Sequence, residues 1–193
     1  MSLAKLIDDQ DGWLCTHEMR PILPWDIDEV LGYDRIEYLN GKDKVADVAS
    51  YYLPYVEMFL EEIKDLKVIC LKRDREQVVS SFMAKTANIT PPRNHWCDHD
   101  GETWTLDPIW DRAYPNYNLD IETSPHEYKE ELIRTYWYKY YEEAEWLSDR
   151  FYDFEVFDID VLNDEEKQSE MFEFLDINNP IFGDVHKNKL VTQ

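Results

Sequence analysis

The sequence predicts an α/β fold built on a mainly parallel central sheet, and three segments carry that expectation. Val68-Ile-Cys-Leu71 is a short apolar run with a β-branched pair, which reads as a buried strand. It passes into a helical pattern that sets Val78, Val79, Phe82 and Met83 on one face. Ahead of it, Val45, Val48, Ala49, Tyr52, Leu53, Val56, Phe59, Leu60 and Ile63 recur at three- and four-residue spacing, which predicts one amphipathic helix kinked at Pro54. Behind it, Tyr128–Arg150 places Leu132, Tyr136, Tyr140 and Ala144 at i+4 spacing, with Trp137 and Tyr141 alongside. This long helix leads into Phe154–Leu162, which reads as a strand. Helices that alternate with strands in this way pack against a parallel sheet.

At the amino end, Leu3, Leu6 and Ile7 share one side of a short amphipathic helix that Gly12 ends. Trp13-Leu14-Cys15 is then a short strand, followed by His17-Glu18 and by Pro21, Pro24 and Trp25. Residues 86–124 hold Pro91, Pro92, Pro108 and Pro115 among Trp96, Trp104, Trp110, Tyr114 and Tyr117, which predicts an irregular segment. A long loop in a compact domain is more often a lid or binding loop than filler; the alternative is a loop pinned to the surface by its aromatics. His95-Trp-Cys97-Asp-His99-Asp100 carries zinc-type ligands, but the spacing is unlike a Cys-x-x-Cys knuckle. A polar loop is expected there, and no metal. Ser124 and Pro125 sit where a cap and a first-turn proline would begin the long helix. Near the carboxyl end, Asn163-Asp-Glu-Glu166 reads as an acidic loop before a short helix, Met171–Ile177.

With 193 residues the chain is expected to form a single domain, 1–193, and at 44% hydrophobic and 15% aromatic residues it is not of the disordered class. No apolar run approaches the roughly 20 residues that a membrane helix needs, and no signal peptide is visible. Cys15, Cys70 and Cys97 are odd in number and two fall in predicted strands, so they read as reduced thiols in a cytoplasmic protein. A formal net charge of -22 would repel a polyanion, which argues against nucleic acid as a partner.

Against that acidic background Lys72, Arg73 and Arg75 form a basic island, with Lys67 just upstream. Arg73 falls at the carboxyl end of the predicted strand and Ser81 about two turns into the helix that follows. Ligands of open α/β sheets bind outside the carboxyl ends of strands. An arginine fork and a hydroxyl aimed at one point hold a phosphate by charge-assisted hydrogen bonds. The alternative is a helix start with ordinary surface charges.

The strand, Arg73, Ser81 and helix arrangement resembles the 3′-phosphate-binding segment of sulfotransferases that use 3′-phosphoadenosine 5′-phosphosulfate (PAPS) as sulfuryl donor. Cys15-Thr16-His17-Glu18 is similar to the segment just past the second strand, where many members carry an acidic catalytic base. The order of aromatic helix, strand, acidic stretch and short helix from Tyr128 to Ile177 looks like the carboxyl half of the family. The resemblance implies a three-layer sandwich of the P-loop nucleoside-kinase-like type. It implies Glu18, or else His17, as catalytic base, and Arg73, Ser81 and Arg75 as donor ligands, with Lys187 in the basic tail as a further one. PAPS would be co-substrate and 3′-phosphoadenosine 5′-phosphate the product, with a small-molecule or peptide acceptor and no metal. The segment 86–124 would cover the acceptor. The family's glycine-rich phosphate loop has no counterpart among Gly12, Gly32, Gly41, Gly101 and Gly183. Ser2-Leu3-Ala4 matches the first turn of the helix after that loop, so relative to the family the chain is expected to be N-terminally truncated. Either the sequence starts late or the protein has lost its first strand and loop, and in the second case the expectation is a non-catalytic binding module of the same fold.

Overall fold

The computed structural model describes residues 2–86, 111–115 and 125–183. Helix α1 (Ser2–Asp8) buries Leu3, Leu6 and Ile7, as its periodicity requires. The chain reverses at Gly12, whose φ of +77° suits a residue without a Cβ, and enters strand β1 (Leu14–His17). Helix α2 (Glu29–Asn40), which the sequence reading did not foresee, begins where the Asp28 carboxylate accepts a hydrogen bond from the Leu31 amide at 3.2 Å.

The single kinked helix expected over 45–63 is instead three elements. Val45–Val48 is strand β2, Ser50–Tyr55 a 3-10 helix, and Val56–Glu62 helix α3. A strand covered on both faces is apolar without alternation, so its residues joined the helical spacing of their neighbours. Pro54 sits inside the 3-10 segment, so it marks a change of helix type rather than a kink.

Strand β3 (Val68–Lys72) and helix α4 (Arg75–Thr86) follow as expected. Helix α5 (Pro125–Arg150) runs into strand β4 (Phe154–Asp158) and a 3-10 turn, Ile159–Asn163. The acidic stretch after it is no loop. Asp164 caps helix α6 (Glu165–Phe174) by accepting from the Glu166 and Lys167 amides at 3.0 and 3.2 Å, and Glu165 and Glu166 occupy the first turn, where the helix dipole favours carboxylates. The helix therefore starts earlier than the apolar pattern indicated and stops short of Ile177.

The fold is α/β with short parallel strands. β1 pairs with β2 from Leu14↔Val45 to His17↔Val48, and β3 pairs with β4 from Val68↔Phe154 to Lys72↔Asp158. Among the described residues the strands form two separate parallel pairs, where the sequence predicts one central sheet. Both pairs run the same way. Asn40, ahead of β2, donates to the Glu62 carbonyl ahead of β3 at 3.4 Å, whereas Tyr140 and Tyr141 of α5 donate to Ser50 and Leu71 at the opposite ends.

Side chains alternate between two cores. Ala46, Val48, Ile69, Leu71 and Phe157 pack with α1 and α6, while Val68, Cys70, Phe154 and Val156 pack with α3 and α5. Between β2 and β3 lies an apolar slot of about 840 Å³.

Candidate functional site

The carboxyl end of β3 is held by the middle of α5. The Arg73 amide donates to the Tyr141 hydroxyl at 3.1 Å, that hydroxyl donates to the Leu71 carbonyl at 3.0 Å, and the Trp137 indole N–H donates to the Arg73 carbonyl at 2.8 Å. Trp137 and Tyr141 are one turn apart, so a single helix face grips both sides of the Arg73 peptide. Burial pushes the Tyr141 hydroxyl up to about 12, opposed by the Arg73 amide, so it remains a donor. The next residue starts the helix. Asp74 accepts from the Gln77 amide at 2.9 Å, which makes it the cap of α4.

Around this pinned backbone opens a cleft of about 490 Å³ lined by Lys72, Arg73, Asp74, Arg75, Glu76, Trp137, Tyr138 and Asp158. Three cations and three carboxylates line it, a near-neutral patch on a chain of net charge -22. Two of the cations are matched. Lys72 bonds to Glu145 and lies 5.6 Å from the ring centres of Trp137 and Tyr141. Arg75 donates to Glu76 at 2.7 Å and to the Tyr138 hydroxyl. The hydrogen bond from Arg134, then that from Arg75, holds the Glu76 carboxyl below its usual range, so Glu76 stays ionised and committed to these arginines. Arg73 differs. Among the described residues its guanidinium meets a neutral group, the Gln77 side-chain oxygen at 3.3 Å.

Ser81 is partly buried on α4 and does not line the cleft. It lies six positions after Arg75, a rise of about 9 Å along the helix. His17 is the last residue of β1 and Glu18 the first past it, with 3.7 Å between the His17 Nδ1 and a Glu18 carboxylate oxygen, and neither lines the cleft. Glu18 takes a left-handed φ of 55° and its amide donates to the Val48 carbonyl at 3.1 Å. Lys187, the tail around it, the His95–Asp100 loop and most of 86–124 lie outside the described residues.

The sequence reading missed the group that fixes the loop carrying Glu18. The Asp47 side chain is 1% exposed and the Arg35 side chain 4%, and they form an ion pair at 3.4 Å. Asp47 also accepts from Thr16 Oγ1 at 2.7 Å, from the Met19 amide at 3.2 Å and from the Tyr52 hydroxyl. Arg35 donates to the carbonyls of Met19 and Pro21, both at 2.9 Å, and Tyr51 donates to the same Met19 carbonyl at 2.9 Å. The signal was present as an Asp inside the apolar run Val45–Ala49 and an Arg among Leu31, Ile36 and Leu39 of α2.

Neither described cysteine is suited to nucleophilic work. Burial, then the charges of Asp47 and Asp8, push the Cys15 thiol up to about 12, and burial does the same for Cys70, opposed by Lys72. Among the described residues no helix is long and apolar enough to cross a membrane. Comparison with protein-family models, curated proteins and solved structures finds no match to this chain.

Tyr141→Phe removes the hydroxyl that serves both the Arg73 amide and the Leu71 carbonyl. A loss of about 1–3 kcal/mol is expected, because two backbone groups lose their partner together. Urea unfolding measures it, and amide exchange at Arg73 should quicken in the same variant. Unchanged exchange would mean that the hydroxyl does not hold this peptide.

Proposed function

We propose that this chain is a cytoplasmic sulfotransferase-like protein whose cleft at the end of β3 binds the phosphate of PAPS. In this reading its helices and parallel strands form a three-layer sandwich of the P-loop nucleoside-kinase-like type, and the reaction moves a sulfuryl group to an acceptor hydroxyl or amine. The observation that carries it is Arg73. Its backbone is clamped by Trp137 and Tyr141, and its guanidinium faces a neutral amide while Lys72 and Arg75 are matched by carboxylates. A fixed planar cation that has no carboxylate partner among the described residues fits a phosphate group.

Arg73 would hold the phosphate, with Arg75 as a second cation and Ser81 and Lys187 as further ligands. Glu18, or else His17, would take the proton of the acceptor group as its oxygen or nitrogen forms the bond to sulfur and the bond from sulfur to the donor phosphate breaks. That displacement is direct and in line, with no enzyme-bound intermediate. β1 and β3 are separated by β2 and the slot, roughly 14 Å at about 4.8 Å per strand position. A ligand of nucleotide length, rather than a small anion, would reach from Arg73 towards Glu18. The second reading is a non-catalytic binding module of the same fold, favoured by the placing of Glu18 outside the cleft that Arg73 lines.

The test is calorimetric titration with 3′-phosphoadenosine 5′-phosphate on this chain and on Arg73→Ala. Micromolar binding that weakens about 10- to 150-fold in the variant is expected, the loss of one charge-assisted contact. No binding to either protein would overturn the donor site, and equal binding to both would remove Arg73 from it.

A further inference from the structure

We propose that α1 and the strap formed by residues 180–183 are a latch: one unit, locked by two buried glutamines, that opens and closes as a whole while the rest of the chain stays folded. This inference rests on the hydrogen bonds that join the two ends of the described chain and does not depend on a sulfuryl donor.

The chain leaves α6 at Leu175 and turns at Asp176 and Asn179, both with a left-handed φ of 55°. It then runs between α6 and the end of α1. Gln10 donates from Nε2 to the Ile181 carbonyl at 2.9 Å and accepts from the Ile181 amide at 2.8 Å, across 171 positions of sequence. Gln168 of α6 does the same for Gly183, donating at 2.8 Å and accepting at 3.3 Å. Ile181 and Gly183 are alternate residues, so two side-chain amides serve the strap much as an antiparallel strand would. Among the described residues no other hydrogen bond reaches the backbone of 180–183.

Neither glutamine is satisfied without the strap. Gln10 is 3% exposed and Gln168 1%, and each commits its other N–H nearby, to the Leu6 carbonyl at 2.8 Å and the Leu162 carbonyl at 3.0 Å. With the strap gone, each amide would keep one bond and hold an unpaired N–H and oxygen in a buried place, which is unfavourable. α1 depends on the strap in turn. Its seven residues are too few for a helix to hold itself together in water. Leu3, Leu6 and Ile7 hold it in the core, and Asp8 and Gln10 hold its end, Asp8 accepting from the Cys15 amide at 2.9 Å. The strap leans on both helices: the Phe182 and Phe172 ring centres are 6.0 Å apart, and a Cβ on Gly183 would stand 3.5 Å from Leu6. Releasing either segment strips partners from the other, which is what makes two segments open as one. Opening uncovers Met171 and Phe172, and with them Ile69 and Leu71 of β3, so the open form presents apolar surface that the closed form hides.

The experiment is native-state amide exchange in low urea on the full chain, read residue by residue. The expected result is that Asp9, Gln10, Ile181 and Gly183 share one opening free energy and one urea slope, both below those of Ala144 and Leu147 in α5. Gln168→Met keeps most of the side chain's bulk and removes its bonds to Gly183. It should quicken all four amides together by about 5- to 150-fold, the loss of two ordinary hydrogen bonds, and leave Ala144 and Leu147 unmoved. Asp9 and Gln10 are decisive, since their amides bond to the Lys5 and Ile7 carbonyls and not to Gln168. Quickening confined to Ile181 and Gly183 would overturn the latch, leaving a strap that frays by itself. Four amides that follow the α5 slope in the parent chain would overturn it too, because the ends would then open only when the whole chain unfolds. This second comparison uses the parent alone, so it decides even if Gln168→Met loosens α5 as well.

Discussion

Asp47→Ala is expected to destabilise the fold by about 3–5 kcal/mol, because it strands a buried guanidinium. Arg35 would keep its bonds to the Met19 and Pro21 carbonyls but lose its counter-charge, while the Thr16 hydroxyl, the Met19 amide and the Tyr52 hydroxyl would each lose an acceptor. Urea unfolding at neutral pH measures the loss. The double variant Arg35→Met with Asp47→Ala should recover most of it, since a pair replaced by apolar groups no longer leaves a lone charge. A double variant as unstable as the single one would show that the carboxylate's hydrogen bonds, not the ion pair, carry the energy. The same network sets an alkaline limit. Burial, and after it the Asp47 charge, hold the Tyr51 hydroxyl above its ordinary value. A raised folded pKa favours the protonated form, so this contribution is whole below about pH 10 and is lost as pH rises through the folded value.

The elements legible in the sequence were those with local punctuation or a long period. α1 ends at a glycine, β3 ends in a run of charges, and α5 repeats its apolar face from Tyr128 to Leu147, about five turns. β2 was illegible because its four residues are all half-buried and show no alternation, and Val45 and Val48 fell into step with the 3-10 and α-helical segments that follow. α2 carried ordinary signals, Asp28 before Glu29 and Gly41 after Asn40, but its inner face includes Arg35, which broke the apolar stripe. That break was itself informative, since an arginine on an inner face needs a buried acid, and Asp47 was the candidate. Within the site, Arg73 and Arg75 were readable as a basic island at a strand end. Their separation into a matched Arg75 and an Arg73 that among the described residues meets a neutral amide depends on Glu76, Arg134, Tyr138 and Gln77 in space, which no spacing encodes. The clamp by Trp137 and Tyr141 joins residues more than sixty positions apart. Such long-range contacts leave no periodic trace.

Phe172→Ala is expected to cost about 3–5 kcal/mol, the range for emptying an aromatic site that cannot collapse. Phe172 and Met171 have no exposed surface and pack with Leu3, Leu6, Ile7, Val161 and Leu162. α6 and α1 share that core with Ile69 and Leu71 of β3, so the cavity would lie beneath the strand that delivers Arg73. The ends of the described chain are tied above it, where the Gln10 side chain exchanges two hydrogen bonds with Ile181 and the Gln168 side chain two with Gly183. Loosening this core should therefore reach the site through β3 rather than through α5. Amide exchange separates the two routes. In Phe172→Ala the exchange at Arg73 should quicken in proportion to the loss of global stability, while Phe172→Leu, which refills part of the space, should fall between the variant and the parent in both. If exchange at Arg73 stayed at the parent rate while urea stability fell, the clamp on α5 would hold the cleft by itself, and the candidate site would be a unit that outlasts the core beneath it.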